Sequence, residues 1–305
     1  MVGCIIARGF QFAPPSRRHR HDMLPTIAAC LYLAASGLLW RHANDASTHA
    51  GAAKTIADKL ATPAVILATP AVIRLVIAAA VALHALHLYA QLYPSGRGAA
   101  NLALGHVASL VAWMSVALLL LASTLKQTLN LGLVVLPLGL LGLVIGAALP
   151  GAAFYLSDGP AGAGRHIAIA VPAYGVLSIA FAQALLLWLQ EKQLRKVERG
   201  RFFPALPALE TMESNLAHLI VIGFVLLTIN LVTGMHSARQ AHGAWLVFNH
   251  HILLSLLAWA GFGALLAGRA WFGWRGRLAA QWTVAAFALL ALAYFGTRFV
   301  NDVIL

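Results

Sequence analysis

Eight stretches of mainly apolar residues, about 24 to 40, 69 to 92, 104 to 124, 130 to 149, 166 to 189, 215 to 234, 250 to 267 and 280 to 300, divide the chain almost from end to end. A helix rising 1.5 Å per residue needs about 20 such residues to cross a hydrocarbon core about 30 Å thick, so each stretch reads as a spanning helix. Backbone groups in lipid must be satisfied within their own segment, which excludes an open sheet. The expected fold is therefore all-α, a polytopic transmembrane helix bundle of about eight spans. Composition agrees, with 61% of the 305 residues hydrophobic and only 10% charged, far from the balance of a soluble domain. The fourth stretch is interrupted by Pro137, Gly139, Gly142 and Gly146, which in lipid implies close packing against neighbours or a local kink.

A net charge of +12 raises the possibility of a nucleic-acid partner, but the basic residues are scattered between apolar runs and form no stripe beside stacking aromatics. They divide by loop instead. With alternating spans, one side receives Arg41, Lys54, Lys59, Lys192, Arg195, Lys196, Arg199, Arg201, Arg269, Arg275 and Arg277, among others, and the opposite side only Arg97, Arg165, Arg239 and Arg298. Under the positive-inside rule the first side is cytoplasmic and both termini are periplasmic. Arg17, Arg18 and Arg20 then fall on the wrong side. Residues 1–22 are accordingly expected to be a non-native or disordered extension, with Met23 as an alternative start and 23–305 as a single transmembrane domain. Membrane lipid is the one certain partner of such a chain. The two cysteines, Cys4 and Cys30, form no C-x-x-C motif, so neither a redox pair nor covalent haem attachment is encoded.

The spans hold almost no acid or lysine, and histidine is the exception. His84 and His87 lie three apart on one face of the second span; His106, His166 and the pair His250 and His251 open the third, fifth and seventh. On the charge-based topology these all gather toward the outer side, whereas His218 belongs to the inner half of the sixth. Each alone reads most simply as an interfacial imidazole; their convergence suggests ligation. Cysteine and carboxylate are missing around them, so a closed zinc or calcium site lacks its usual ligands. Haem asks for less: one or two axial histidines, an apolar slot, and groups for the propionates. His166 and His250 are available as ligands, Arg165 and Arg239 as propionate partners, and Phe154, Tyr155, Trp245 and Phe248 as slot walls.

The segments HIAIAVPAYGVLSIAFAQALLLWLQEKQLR, LPALETMESNLAHLIVIGFVLLTINLVTG, HHILLSLLAWAGFGALLAGR and GWRGRLAAQWTVAAFALLALAYFGTRFV resemble the cytochrome c assembly family of haem-handling membrane proteins. They are most similar to its short inner-membrane branch, the YpjD-like and HemX-like proteins. The resemblance implies that two outer-face histidines bind haem b without covalent attachment. Residue by residue these correspond to His166 and His250, with His84 and His87 as second-choice ligands. His251 stands where many short members carry lysine, which leaves its role open. The tryptophan-rich WWD segment that haem-attaching branches use to present haem is absent, because only Trp188 and Trp245 lie between His166 and His250. The resemblance therefore implies a non-enzymatic role in haem binding, delivery or regulation in a bacterial inner membrane, with cytochrome c maturation proteins or apocytochrome as partners. No nucleophile with a nearby base argues for catalysis. Two other readings compete: a permease, supported by the interrupted fourth span, and a scaffold acting through the basic 190 to 214 loop.

Overall fold

The computed structural model describes residues 23–49, 69–94, 99–125, 128–149, 153–159, 162–194, 206–243 and 250–300. The N-terminal extension, most of the two long loops, and Trp245 and Phe248 lie outside the described residues. The helices are α1 (Met23–His49), α2 (Pro70–Leu92), α3 (Leu104–Leu125), α4 (Gly132–Ala148), α5 (Ala163–Leu194), α6 (Leu209–His242), α7 (His250–Phe272) and α8 (Gly276–Ala291). A π-helical turn, Leu292–Gly296, and a final turn, Thr297–Phe299, carry α8 onward. All eight are long and apolar enough to span a membrane.

The span count expected from hydropathy is met, but several boundaries are not. α5 and α6 run 32 and 34 residues, or roughly 50 Å at 1.5 Å per residue, well beyond the hydrocarbon thickness. Hydropathy stops where lipid stops, whereas the helix continues as long as its residues tolerate helical geometry. Glu210 and Glu213 start α6 before the apolar run, and Ser237 to Gln240 prolong it afterwards. Gly243, in the left-handed region at φ 72° with its N–H on the Arg239 carbonyl, then ends the helix. Local sequence also sets the start of α2: the Thr69 hydroxyl accepts from the Val72 N–H, and Pro70 occupies the first turn, where its missing donor costs nothing.

Helix neighbours divide the molecule into two four-helix lobes. α1 packs on α2 and α4, and α3 on α2 and α4, closing one ring; α5 packs on α6 and α8, and α7 on α6 and α8, closing the second. The lobes meet chiefly along α3 and α5, where the Ser115 and Ser178 hydroxyls bond one another. Close packing is what the glycines of α4 provide. A Cβ at Gly142 would overlap Ala112, and one at Gly146 would stand 2.8 Å from the Ser109 Cβ, so both glycines let α4 lie directly on α3. The first lobe is consequently dense, with Tyr32, Leu39, Ile73, Val116 and Leu136 fully buried within it.

Candidate functional site

In the first lobe His84 is satisfied by neighbouring side chains. His84, fully buried, engages both ring nitrogens: Nδ1 lies 3.0 Å from the Tyr32 hydroxyl and Nε2 lies 2.8 Å from the Ser109 hydroxyl. A neutral imidazole has one donor and one acceptor nitrogen, so this arrangement uses both. His106, also buried, donates through Nδ1 to the Asn101 carbonyl at 3.3 Å. Neither residue, nor His87, lines a cavity described in the structure.

The second lobe is different. At the end where α5 and α7 begin and α6 and α8 finish, the helices separate around a cavity of about 570 Å³, a size suited to a cofactor-sized ligand. α5 contributes His166, Ile167, Val171 and Tyr174; α6 contributes Leu227, Asn230, Gly234 and Ser237. The start of α7 adds His250, His251 and Ser255, and the end of α8 adds Leu290, Tyr294, Phe295 and Arg298. From the first lobe, Leu102, Val107 and Val111 close one side. Above them Phe154 is held by backbone pairing, with Leu102 N–H on the Phe154 carbonyl and Leu156 N–H on the Ala100 carbonyl. The Arg298 guanidinium sits 5.5 Å from the Phe154 ring centroid, a cation–π contact that fixes a positive charge at the cavity wall.

His166 is oriented by α6. Its Nδ1 is 3.1 Å from the Asn230 carbonyl, and a carbonyl can only accept, so Nδ1 carries the proton and Nε2 keeps its lone pair. This carbonyl–imidazole arrangement is the usual way a ligating histidine is fixed in tautomer and direction. The close approach depends on Gly234, where a Cβ would stand 3.0 Å from the His166 Cε1. Two further polar atoms on the same face of α6, Asn230 Oδ1 and Ser237 Oγ, are buried with no hydrogen-bond partner among the described residues. Buried polar atoms are normally paired, and because Asn230 and Ser237 line the cavity, a ligand there could bond to them.

Of the residues singled out from sequence, the structure brings His166, His250 and Phe154 to one cavity. Arg165 and Arg239 are exposed and neither lines it; Arg298 is the cation that does. Tyr155 is also outside the lining. Among the described residues no three His, Cys, Asp or Glu side chains converge closely enough to hold a bare metal ion. Asn230, Ser237 and Tyr294 join the lining without having been singled out from sequence, while Arg298, known there only as an outer-side cation, and His251, whose role was open, line it too. His251 is half-buried with its ring edge-on to Tyr294 at 6.2 Å. Arg298 lies within a turn of the end of the last span, where an arginine can also reach the interface, so only the fold singles it out.

Comparison with known proteins settles the family. Residues 72–305 match the model of the cytochrome c assembly protein family. The chain belongs to that family. It is 33% identical over 236 residues, 75% of this chain and 87% of the relative, to the inner membrane protein YpjD of Escherichia coli K12. An uncharacterized 28.8 kDa protein of Azospirillum brasilense, from a nifR3-like 5' region, shares 38% identity over 143 residues, 46% of this chain and 52% of the relative. The cytochrome c biogenesis protein CcsA of Prochlorococcus marinus MIT 9515 is 33% identical over 82 residues, 27% of this chain and 26% of the relative.

Proposed function

We propose that this chain is a multi-pass inner-membrane protein that binds haem b non-covalently in the α5–α8 cavity and assists cytochrome c biogenesis. The observation that carries the reading is the cavity: about 570 Å³, walled by apolar and aromatic side chains, with imidazoles reaching it from two helices. Haem, when bound, supplies an iron that takes one or two axial ligands and two carboxylate arms. The donor set fits it. His166, held through Nδ1 by the Asn230 carbonyl, offers Nε2 as one ligand, and the start of α7, where His250 and His251 both line the cavity, offers the second. Arg298 supplies a positive charge within the lining, while Asn230 and Ser237 supply the buried polar atoms that await a partner.

Positive-inside orientation puts this end of the bundle on the periplasmic side, with both termini there. An apocytochrome or a cytochrome c maturation protein would meet the cavity from that side. Among the described residues the lining pairs no nucleophile with a base, and the roles its side chains support are binding and orientation. The permease reading loses its sequence support, because the interrupted α4 is packed closed: its glycines are filled by Ala112, Ser109 and Val116 of α3.

The test is spectroscopic. Protein purified from membranes supplied with haem is expected to show the Soret and α bands of a low-spin b-type haem, and His166→Ala is expected to lose it. Wild-type protein that never retains haem under these conditions overturns the reading.

A further inference from the structure

His250 and His251 are adjacent in sequence but occupy different faces of α7. A step of one residue turns a helix by about 100°, so two neighbouring side chains cannot share an outlook. From His250 the three-and-four spacing leads to Leu253 and Leu257, which are 53% and 48% exposed and face outward. From His251 it leads to Ser255, Ala258, Phe262 and Leu265, the buried seam of the helix. Both histidines line the cavity, but His250 is exposed whereas His251 is half-buried.

One ring contact holds His251 in that inward position: it meets Tyr294 edge-on at a centroid distance of 6.2 Å. Tyr294 in turn packs edge-on against Tyr174, whose hydroxyl donates to the Leu290 carbonyl, so the ring that supports His251 is itself braced by α5. Among the described residues no ring contact braces His250, and its helix face is that of the outward leucines.

We infer that His251, not His250, is the α7 imidazole that completes the ligand pair with His166. The inference rests on the haem-binding reading above, and assigns its second ligand.

The experiment uses full-length protein purified with haem, compared as wild type, His250→Ala, His251→Ala and His251→Met. The readouts are haem per folded molecule and the spin state by electron paramagnetic resonance. His251→Ala is expected to replace the low-spin signal with a high-spin one and to regain low spin when free imidazole is added. His251→Met is expected to stay low-spin with a shifted α band, because a thioether can occupy the vacated axial position. His250→Ala is expected to remain low-spin. A low-spin signal that survives in His251→Ala without added imidazole, or that is lost in His250→Ala, overturns the assignment while leaving haem binding intact. Wild-type protein that takes up no haem overturns the haem-binding reading itself, and the two failures are thereby distinguishable. Imidazole rescue also separates a missing ligand from a misfolded chain.

Discussion

His84 in the first lobe and His166 in the second are both imidazoles set between apolar helices, yet their surroundings give them opposite characters. His84 spends both nitrogens on Tyr32 and Ser109 inside a lobe whose glycines are filled by neighbouring side chains. His166 spends one nitrogen on a backbone carbonyl and turns the other toward open volume, beside two polar atoms that lack partners. Residue type and depth are shared; the difference lies in whether the neighbours complete the histidine or leave it incomplete. Around His84 close-packed neighbours make a frame, and around His166 the helices leave a space that a ligand could fill.

This contrast can be broken by substitution, in order of the expected effect on stability of the haem-free fold. Gly142→Leu forces a side chain into the α3–α4 contact, where Ala112 and the Ala108 carbonyl leave no room; overpacking of this kind is expected to cost about 3 kcal/mol. The measurement is the thermal midpoint in detergent, and an unchanged midpoint would show that the lobe is looser than described. His84→Ala strands the Tyr32 and Ser109 hydroxyls in a buried site, at about 2 kcal/mol, yet is expected to leave haem per folded molecule unchanged. Loss of haem in that variant, with the fold intact, would move the site into the first lobe.

In the second lobe the signs differ. Asn230→Leu removes a buried amide whose oxygen has no partner and fills part of the cavity, so the haem-free protein is expected to gain up to about 1 kcal/mol while retaining several-fold less haem. A stability loss there would mean that the amide serves the fold and not a ligand. Gly234→Ala is the mildest. Helix propensity favours alanine by about 1 kcal/mol, and the 3.0 Å approach to His166 Cε1 opposes it, leaving stability near its starting value. The ring is expected to shift, and haem affinity to fall without loss of folded protein; equal affinity would show that His166 orientation does not depend on that contact.

Sequence carried some of these features and not others, for physical reasons. The eight spans were legible because apolar length is a local property, and α4 as a packing helix was legible from Gly139, Gly142 and Gly146. The ends of α5 and α6 were not, because hydropathy reports the lipid boundary while Glu210 and Gln240 remain helical beyond it. The two-lobe division is a matter of distant contacts and leaves no local trace. At the site, His166 was visible from its position, and Asn230 was not, since only the fold shows that its amide lacks a partner. The His250 and His251 pair is instructive: the outward leucines 253 and 257 and the inward seam at 255, 258 and 262 were present in the sequence as a helical phase. The family resemblance points to His250, and the helical phase favours His251.

The π-helical turn at Leu292–Gly296 lies inside the stretch of α8 that lines the cavity. Widening one turn to i→i+5 bonding loosens the ladder locally. Leu290, Tyr294, Thr297 and Arg298 keep the i, i+4, i+7, i+8 spacing of a single helical face and all reach the same cavity. The face is thus written in the sequence of α8, and the backbone yields along the very wall that a ligand would press against.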